Sequence, residues 1–295
     1  MVRKNNFGQF VLNIIFIILA ACCVLPFLLL VMASFTEERT LVMNGYSFLP
    51  EKFSLESYQY LLRSFSTIAN AYGITVLVSS VGTLSSLLIT MLLAYPLSRK
   101  ELPGRSIFSF FIFFTMLFNG GLVPSYMMWT QIFQIKNTLL ALIVPSLLMN
   151  AFYVMIMRSY FTSNIPDALV EAARLDGAGE YNILYRIVLP LAKPMVATLA
   201  LMIGIGYWND WVNGLYYLTD SRLFSIQNLL NRMISNIQFL SSGVSGVDLS
   251  GAAATVPSVG IRMAIAVIGI LPIMIIYPFF QQYFVKGISI GGVKG

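Results

Sequence analysis

Histidine is absent from this chain of 295 residues, and charged residues make up only 10% of it. Without histidine, the protein lacks the commonest general acid–base group and the commonest metal ligand. The two cysteines, Cys22 and Cys23, are adjacent within an apolar run, so they predict neither a structural disulfide nor a metal site. The sequence also contains no G-x-x-x-x-G-K-[ST] loop for nucleotide phosphates. We therefore expect no catalytic residue, no metal and no cofactor in this chain.

Apolar residues are what the chain has in abundance, at 58% of the sequence. A helix needs about 20 apolar residues to cross a bilayer, whereas the strands of membrane barrels alternate in polarity over about 10 residues. Several stretches here are long enough for helices and carry no charge at all. The sequence predicts an all-α membrane protein, organised as a single transmembrane domain over 1–295. Six transmembrane helices are predicted, at about 10–33, 69–97, 106–127, 137–158, 194–217 and 260–284.

The distribution of Lys and Arg predicts the orientation in the membrane. If the N-terminus is cytoplasmic, 11 of the 18 basic residues lie on the inner side, in agreement with the positive-inside rule. They are Arg3, Lys4, Arg99, Lys100, Arg105, Arg158, Arg174, Arg186, Lys193, Lys286 and Lys294. Both termini, including a tail at 285–295, and a loop at 159–193 are then cytoplasmic. The net charge of +6 is explained by this topology and does not indicate nucleic acid binding.

The predicted cytoplasmic loop contains a polar segment between stretches that are almost wholly apolar. Ser163 and Asn164 are suited to cap a helix that runs from about 166 to 176. Gly177 can supply the left-handed residue that ends this helix. A second helix is predicted from about 179 to 189, ending at the proline that follows. Together they form a short helix-turn-helix outside the bilayer.

The first of these helices has a surface suited to docking. Ala168, Ala172 and Leu175 fall on one face, and the small alanines let another backbone approach closely. Glu171 is placed to pair with a basic group of a partner. From these features alone, an ordinary connecting helix pair explains the segment equally well.

The spacing of residues in the segment resembles the EAA loop of ABC-importer permeases. The matching residues are Glu171, Ala172, Ala173, Asp176, Gly177, Ile187, Leu189 and Pro190. In that family the loop is the socket through which a separate ATPase drives the membrane subunit. The resemblance implies the type I importer permease fold, with a coupling helix between helices 4 and 5, in a bacterial cytoplasmic membrane. It also implies a second permease, two ATPase subunits that bind ATP and Mg, and an extracellular solute-binding protein as partners.

Other segments resemble the carbohydrate branch of these permeases. Residues 121–126 and 137–142 are similar to its third and fourth spans, 207–211 to its fifth, and 285–295 to the C-terminus of MalG-type subunits. The LplC/YtcP-like branch, which is tied to complex oligosaccharides, is the most similar. The resemblance implies import of a carbohydrate and, more narrowly, of an oligosaccharide. A permease for a non-sugar solute is an alternative, and an ion-coupled secondary transporter is a further one, although we find neither the buried coupling charges nor the internal repeat typical of that class.

Three further sets of residues are candidates for function. The MalG-type tail reaches between the ATPases, which implies such contacts for Gly287, Gly291, Gly292 and Lys294. The longest outer loop, about 218–259, is a candidate to contact the binding protein through Ser242, Gly243 and Gly246. Sugars favour aromatic faces with amide and hydroxyl partners, so the substrate-path candidates are Asn119, Tyr207, Trp208, Asn209, Asp210 and Trp211. Anchoring at the membrane boundary is an alternative role for the aromatic members, as fraying is for the tail and solvation for the outer loop.

Overall fold

The structure, a computed structural model, describes residues 6–241 and 258–292, and most of these residues are helical. Within those residues the one β pairing is an isolated antiparallel bridge between Thr36 and Phe53. Turns of π-helix follow α6 and α10, at Met128–Ile132 and Leu184–Val188. The helices are α1 (Asn6–Ser34), α2 (Glu38–Asn44), α3 (Glu56–Arg63), α4 (Phe65–Ser98), α5 (Arg105–Leu117), α6 (Leu122–Met127), α7 (Leu140–Ile143), α8 (Ala151–Asn164), α9 (Asp167–Leu175), α10 (Glu180–Ile183), α11 (Leu189–Leu191), α12 (Lys193–Asn209), α13 (Val212–Tyr217), α14 (Ile226–Ser241) and α15 (Ser258–Gly292).

Three helices of the described chain are long and apolar enough to cross a membrane. They are Gly8–Ser34, Phe65–Ser98 and Val259–Pro278, and the number rises to 5 if each of two sharply bent helix pairs is one span. In the first of these helices, no residue of the most apolar 18-residue window is buried within the chain. The apolar surface of this helix is therefore available to lipid or to another subunit. Among the described residues there are thus three to five candidate spans, so the predicted number of six transmembrane helices is not confirmed.

The predicted third span at 106–127 is wrong as a single helix. Helix α5 ends at Leu117, and the chain turns by 112° before a helix resumes over Leu122–Ile132. Asn119 accepts a hydrogen bond from the backbone N–H of Gly121 at 2.8 Å, and Gly121 has φ +87°, a conformation that favours glycine. A local side-chain contact thus redirects the chain inside an apolar stretch.

The predicted fourth span at 137–158 is interrupted as well. Its helical residues belong to α7 and α8, which are separated by a segment in which Ser146 has φ +64°. Pro145 precedes that residue and provides no N–H to continue a helix. Asn150 then accepts the backbone N–H of Phe152 at 2.9 Å and caps the start of α8.

The predicted fifth span at 194–217 breaks at Asp210. Helix α12 ends at Asn209, and Oδ1 of Asp210 accepts the backbone N–H groups of Val212 at 3.1 Å and Asn213 at 3.2 Å. Those bonds satisfy donors that a new helix leaves open at its N-terminus, so α13 starts there. Counting apolar residues detects the long apolar run but does not detect the helix cap that Asp210 forms within it.

The chain groups into two compact units, Met1–Ser66 with Leu230–Pro272 and Thr67–Leu229 with Ile273–Gly295. In the first unit the carboxylate of Glu38 accepts the backbone N–H groups of Val259 and Gly260, both at 2.8 Å. A carboxylate at a helix N-terminus satisfies open donors and complements the helix dipole, so this contact fixes the start of α15. The second unit contains α9 to α13 and therefore the whole of the helix-turn-helix predicted in the cytoplasmic loop.

Candidate coupling site

The end of α9 has the geometry that the sequence predicts. Gly177 has φ +78°, and its N–H donates to the carbonyl of Arg174 at 3.0 Å, while the N–H of Ala178 donates to that of Ala173 at 3.0 Å. These two bonds form a Schellman motif, which closes a helix C-terminus and reverses the chain. The prediction that Gly177 ends this helix is confirmed.

The start of α9 differs from the prediction. Ser163 and Asn164 are the last residues of α8 rather than caps of the next helix, and the amide of Asn164 donates back to the carbonyl of Tyr160 at 3.2 Å. Pro166 is the extended residue that precedes α9. Because the residue before a proline disfavours helical angles, the break falls at Ile165 and the capping prediction is wrong.

The second helical segment is also longer than predicted. It spans Glu180–Leu191 and meets α12 at an angle of 87°. Pro190 lies inside this segment, at the start of α11 after the π-helical turn, where a missing backbone N–H is tolerated. The chain therefore turns into α12 just beyond the proline rather than at it.

One side of the helix pair is buried in its own unit. Val170 and Ala173 of α9 and Ile183, Leu184 and Val188 of the following segment are all buried. Full burial of a valine, leucine or isoleucine side chain stabilises the folded protein by about 1.5–3 kcal/mol. The pair is thus packed onto the protein and does not hang free as a loop.

The opposite side is exposed and partly apolar. Glu171 and Ala172 are exposed, and the side chain of Leu175 is 89% accessible to solvent. Tyr181, the second residue of α10, is 73% accessible. We call these four residues the docking face. A leucine that is exposed to this degree beside a fixed turn is suited to contact a partner.

Ion pairs tie the base of α9 to the end of α4. Asp167, the first residue of α9, lies 3.4 Å from Nη1 of Arg99 and 3.2 Å from Nζ of Lys100. Its position in the first turn also complements the positive end of the helix dipole. From the sequence, the basic residues of 99–105 indicate only the orientation in the membrane. Nothing in the sequence pairs them with a residue about 70 positions away.

A second set of contacts joins the two helices of the pair to each other. Arg174 donates from Nε to Glu180 at 2.8 Å and lies 3.7 Å from Glu101, and the hydroxyl of Tyr95 donates to Glu180 at 2.6 Å. Burial alone would raise the pKa of Glu180, but the hydrogen bonds from Tyr95 and Arg174 outweigh it and hold the pKa below its ordinary value. The hydrogen bond to Glu180 raises the pKa of Arg174. Both groups are therefore charged at neutral pH, and the pair is held rigidly across the turn.

The substrate-path candidates lie in different environments. Asn119 and Asp210 hold the chain turns described above, and Asn209 and Trp211 are exposed. Tyr207 is buried, and its hydroxyl donates to the carbonyl of Ile143 at 2.9 Å.

Trp208 differs from its neighbours because it lines a cavity of about 440 Å³. Ser79 and Thr83 of α4 and Tyr277 of α15 line the same cavity. The hydroxyl oxygens of Ser79 and Thr83 are buried and have no hydrogen-bond partner among the described residues. Of the substrate-path candidates, Trp208 is the one that lines a cavity with both aromatic and hydroxyl groups.

The remaining predicted residues lie at or beyond the limits of the described chain. Ser242, Gly243, Gly246 and Lys294 lie outside the described residues. Within the predicted outer loop, Ile226–Ser241 forms the helix α14. Gly287, Gly291 and Gly292 belong to the last part of α15.

Residues 1–290 match the family of binding-protein-dependent transport system inner membrane components. The chain belongs to this family, whose members are permease subunits of transport systems and not enzymes.

Similar proteins agree with the carbohydrate resemblance of the sequence, which is thereby confirmed. The polygalacturonan/rhamnogalacturonan transport system permease protein YtcP of Bacillus subtilis is 36% identical over 99% of this chain and 100% of its own length. Protein LplC of the same organism is 36% identical over 97% of this chain and 94% of its length. The trehalose/maltose transport system permease protein MalG of Thermococcus litoralis is 29% identical over 99% of both chains.

A solved structure supports the fold. A chain of a bacterial ABC transporter involved in the import of the acidic polysaccharide alginate superposes with a TM-score of 0.79 and 28% identity, over 96% of this chain and 99% of that one. The chain therefore has the fold of an importer permease.

Proposed function

We propose that this chain is the membrane permease of an ATP-driven importer for an oligosaccharide. It forms half of the translocation pathway beside a second permease, and an extracellular binding protein delivers the sugar. The segment from Glu171 to Pro190 couples the permease to one of two separate ATPases, which bind ATP and Mg, while this chain binds no cofactor. Its N- and C-termini lie in the cytoplasm, as the distribution of basic residues indicates.

The docking face is the observation that carries the coupling proposal. Leu175 exposes 89% of its surface to solvent, although it directly precedes a turn that hydrogen bonds and ion pairs fix in place. Fully burying a leucine against a partner contributes about 1.5–3 kcal/mol. Glu171 lies on the same exposed side and is available for a charge-assisted hydrogen bond from a basic residue of the ATPase.

Rigidity is the second requirement of a coupling element, because a compliant segment would absorb a displacement instead of transmitting it. The Schellman turn at Gly177 and the pair between Arg174 and Glu180 connect the two helices. The contacts of Asp167 connect α9 to α4, and the segment continues directly into α12. A movement of the docking face would thereby reach two long helices.

The nature of the substrate is inferred from the similar proteins. The names of YtcP and of the alginate importer refer to polysaccharides, and that of AraQ from Halalkalibacterium halodurans refers to arabinooligosaccharides. The cavity beside Trp208 is largely apolar, and the rings of Trp208 and Tyr277 in its wall offer aromatic faces of the kind that carbohydrate contacts use. We infer an oligosaccharide substrate. ATP hydrolysis by the purified complex, measured with its binding protein and with oligogalacturonides or maltose, tests this substrate class. Stimulation by neither sugar would contradict it.

Copurification tests the coupling site. The tagged chain, purified in mild detergent, is expected to bring a second permease and an ATPase with it. Leu175→Asp places a carboxylate at the docking face and should reduce recovery of the ATPase about tenfold, because a tenfold change corresponds to only about 1.4 kcal/mol. Leu49→Asp is the matched control, since Leu49 is also 80% exposed but lies in the predicted outer loop. Equal recovery of the ATPase with both variants would contradict the proposal.

The tail and the outer loop complete the proposed contacts with partners. By resemblance, Gly287, Gly291, Gly292 and Lys294 reach the ATPases, so deleting 287–295 should lower coupled ATP hydrolysis while membrane insertion is retained. We also propose that Ser242, Gly243 and Gly246, which lie outside the described residues, contact the binding protein. A crosslink from Ser242→Cys to that protein is expected, and its absence in an active complex would contradict this contact.

A further inference from the structure

A second cavity, of about 500 Å³, lies where α4 ends and α9 and α10 approach it. Most of its wall area is apolar and comes from Leu92, Pro96, Leu102, Pro103 and Leu184. Two basic and two acidic side chains, Arg99, Arg174, Glu101 and Glu180, also line it. Leu92 belongs to the apolar part of α4, whereas Arg99 lies one residue past its end. The cavity therefore extends from the apolar part of a predicted span to its polar cytoplasmic end.

Arg99 is the polar group of this wall whose hydrogen bonding is incomplete. It is only 5% exposed, and its Nε donates to Ser98 at 3.1 Å while Nη1 reaches Asp167 at 3.4 Å. The buried Nη2 has no hydrogen-bond partner among the described residues. Because a buried donor without an acceptor is unfavourable, a group from outside the chain is expected to supply one.

The carboxylates near Arg99 are already engaged by other groups. Glu180 accepts from Tyr95 and Arg174, and Glu101 pairs with Arg174. Asp167, which faces Nη1, is shared with Lys100. The missing acceptor is therefore expected to be an anion that enters the cavity.

We propose that this cavity binds a phosphate group, provided by the headgroup of an anionic lipid or by free phosphate, with Arg99 as its main donor. The planar fork of a guanidinium matches the oxygens of phosphate. An apolar wall next to that donor suits the glycerol and the first methylenes of a lipid, and basic residues at the cytoplasmic end of a span attract anionic headgroups. Because the site adjoins the base of the docking face through Asp167, its occupancy would stabilise the coupling segment.

Native mass spectrometry of the purified complex, reconstituted with phosphatidylglycerol and then stripped by detergent, tests the lipid form of the site. Arg99→Gln removes the donor, and Leu102→Trp fills the cavity while leaving Arg99 in place. Arg105→Gln is the matched control, because Arg105 is a predicted cytoplasmic arginine that does not line the cavity. We expect about tenfold weaker retention of phosphatidylglycerol in the first two variants, which is the size expected for losing a charge-assisted hydrogen bond, and unchanged retention in the control.

Titration of the lipid-free complex with inorganic phosphate distinguishes the two sources. A rise of the melting temperature in the wild type and in Arg105→Gln, absent in Leu102→Trp, would assign the site to free phosphate. If lipid retention and the phosphate response are both unchanged in Leu102→Trp, the proposal is wrong, even if Arg99→Gln fails to fold. A crosslink that places an ATPase carboxylate in the cavity of the assembled complex would likewise overturn it.

Discussion

The hydroxyl group of Tyr207 joins α12 to the interruption that follows α7. It donates to the carbonyl of Ile143 at 2.9 Å in a buried environment. Ile143 is the last residue of α7, and carbonyl groups in the last turn of a helix lack partners from a next turn. Replacing Tyr207 with Phe removes the donor and retains the ring, so the substitution isolates this one bond.

The expected loss follows from the burial of the carbonyl. A buried acceptor left without a partner costs about 1–3 kcal/mol, whereas interhelical hydrogen bonds in membrane proteins average about 0.6 kcal/mol with a maximum near 1.7. We therefore expect Tyr207→Phe to lower the free energy of unfolding by about 1 kcal/mol.

Unfolding by sodium dodecyl sulfate in mixed micelles, followed by circular dichroism, measures this difference. Tyr216→Phe is the control because Tyr216 lies in the same region and is exposed, so its change should be near zero. Equal stability of the two variants would refute the structural role of Tyr207. A selective loss of transport by Tyr207→Phe, with unchanged stability, would instead support its place on the substrate path.

Three further outcomes are expected. Gly82→Ala would place a Cβ 2.5–2.8 Å from ring atoms of Tyr207 and should destabilise the protein by about 1–3 kcal/mol, whereas Gly73→Ala, whose Cβ meets nothing within 4 Å, should not when unfolding is measured in the same way. Glu38→Gln should lower unfolding stability by about 0.5–2 kcal/mol because it weakens the cap of α15, and a stability equal to the wild type would contradict that role. The folded-state pKa of Glu180 lies below its ordinary value of 4.5, so its ion pair stabilises the protein above that pH, and this stabilisation is lost as the pH falls through the lower value. The unfolding midpoint should therefore fall less on acidification in Glu180→Gln than in the wild type. Identical pH profiles of the two proteins would argue against the pair.

The sequence predicts the long helices well because their signal is local. The uncharged runs at 10–33 and 69–97 lie within α1 and α4. Gly177, with φ +78°, ends α9 at the predicted position because glycine adopts this left-handed conformation readily. The resemblance of the docking loop also depends on residues close together in the chain.

The broken spans show what hydropathy omits. Asn119, Asn150 and Asp210 each bond a backbone N–H two residues onward, so a single polar side chain starts or redirects a helix inside a run that remains apolar on average. The contacts that support the predicted cytoplasmic loop are equally invisible in the sequence, because Arg99 and Asp167 come together only in the tertiary fold. No periodic pattern reports a contact of that kind.

The most direct test of the central claim is uptake into proteoliposomes that contain the purified complex and its binding protein. ATP-dependent accumulation of a labelled oligosaccharide by the wild type, with loss of uptake and of sugar-stimulated hydrolysis in Leu175→Asp but not in Leu49→Asp, is the predicted result. Uptake that proceeds without ATP, or that Leu175→Asp leaves unchanged, would contradict a permease driven through this loop.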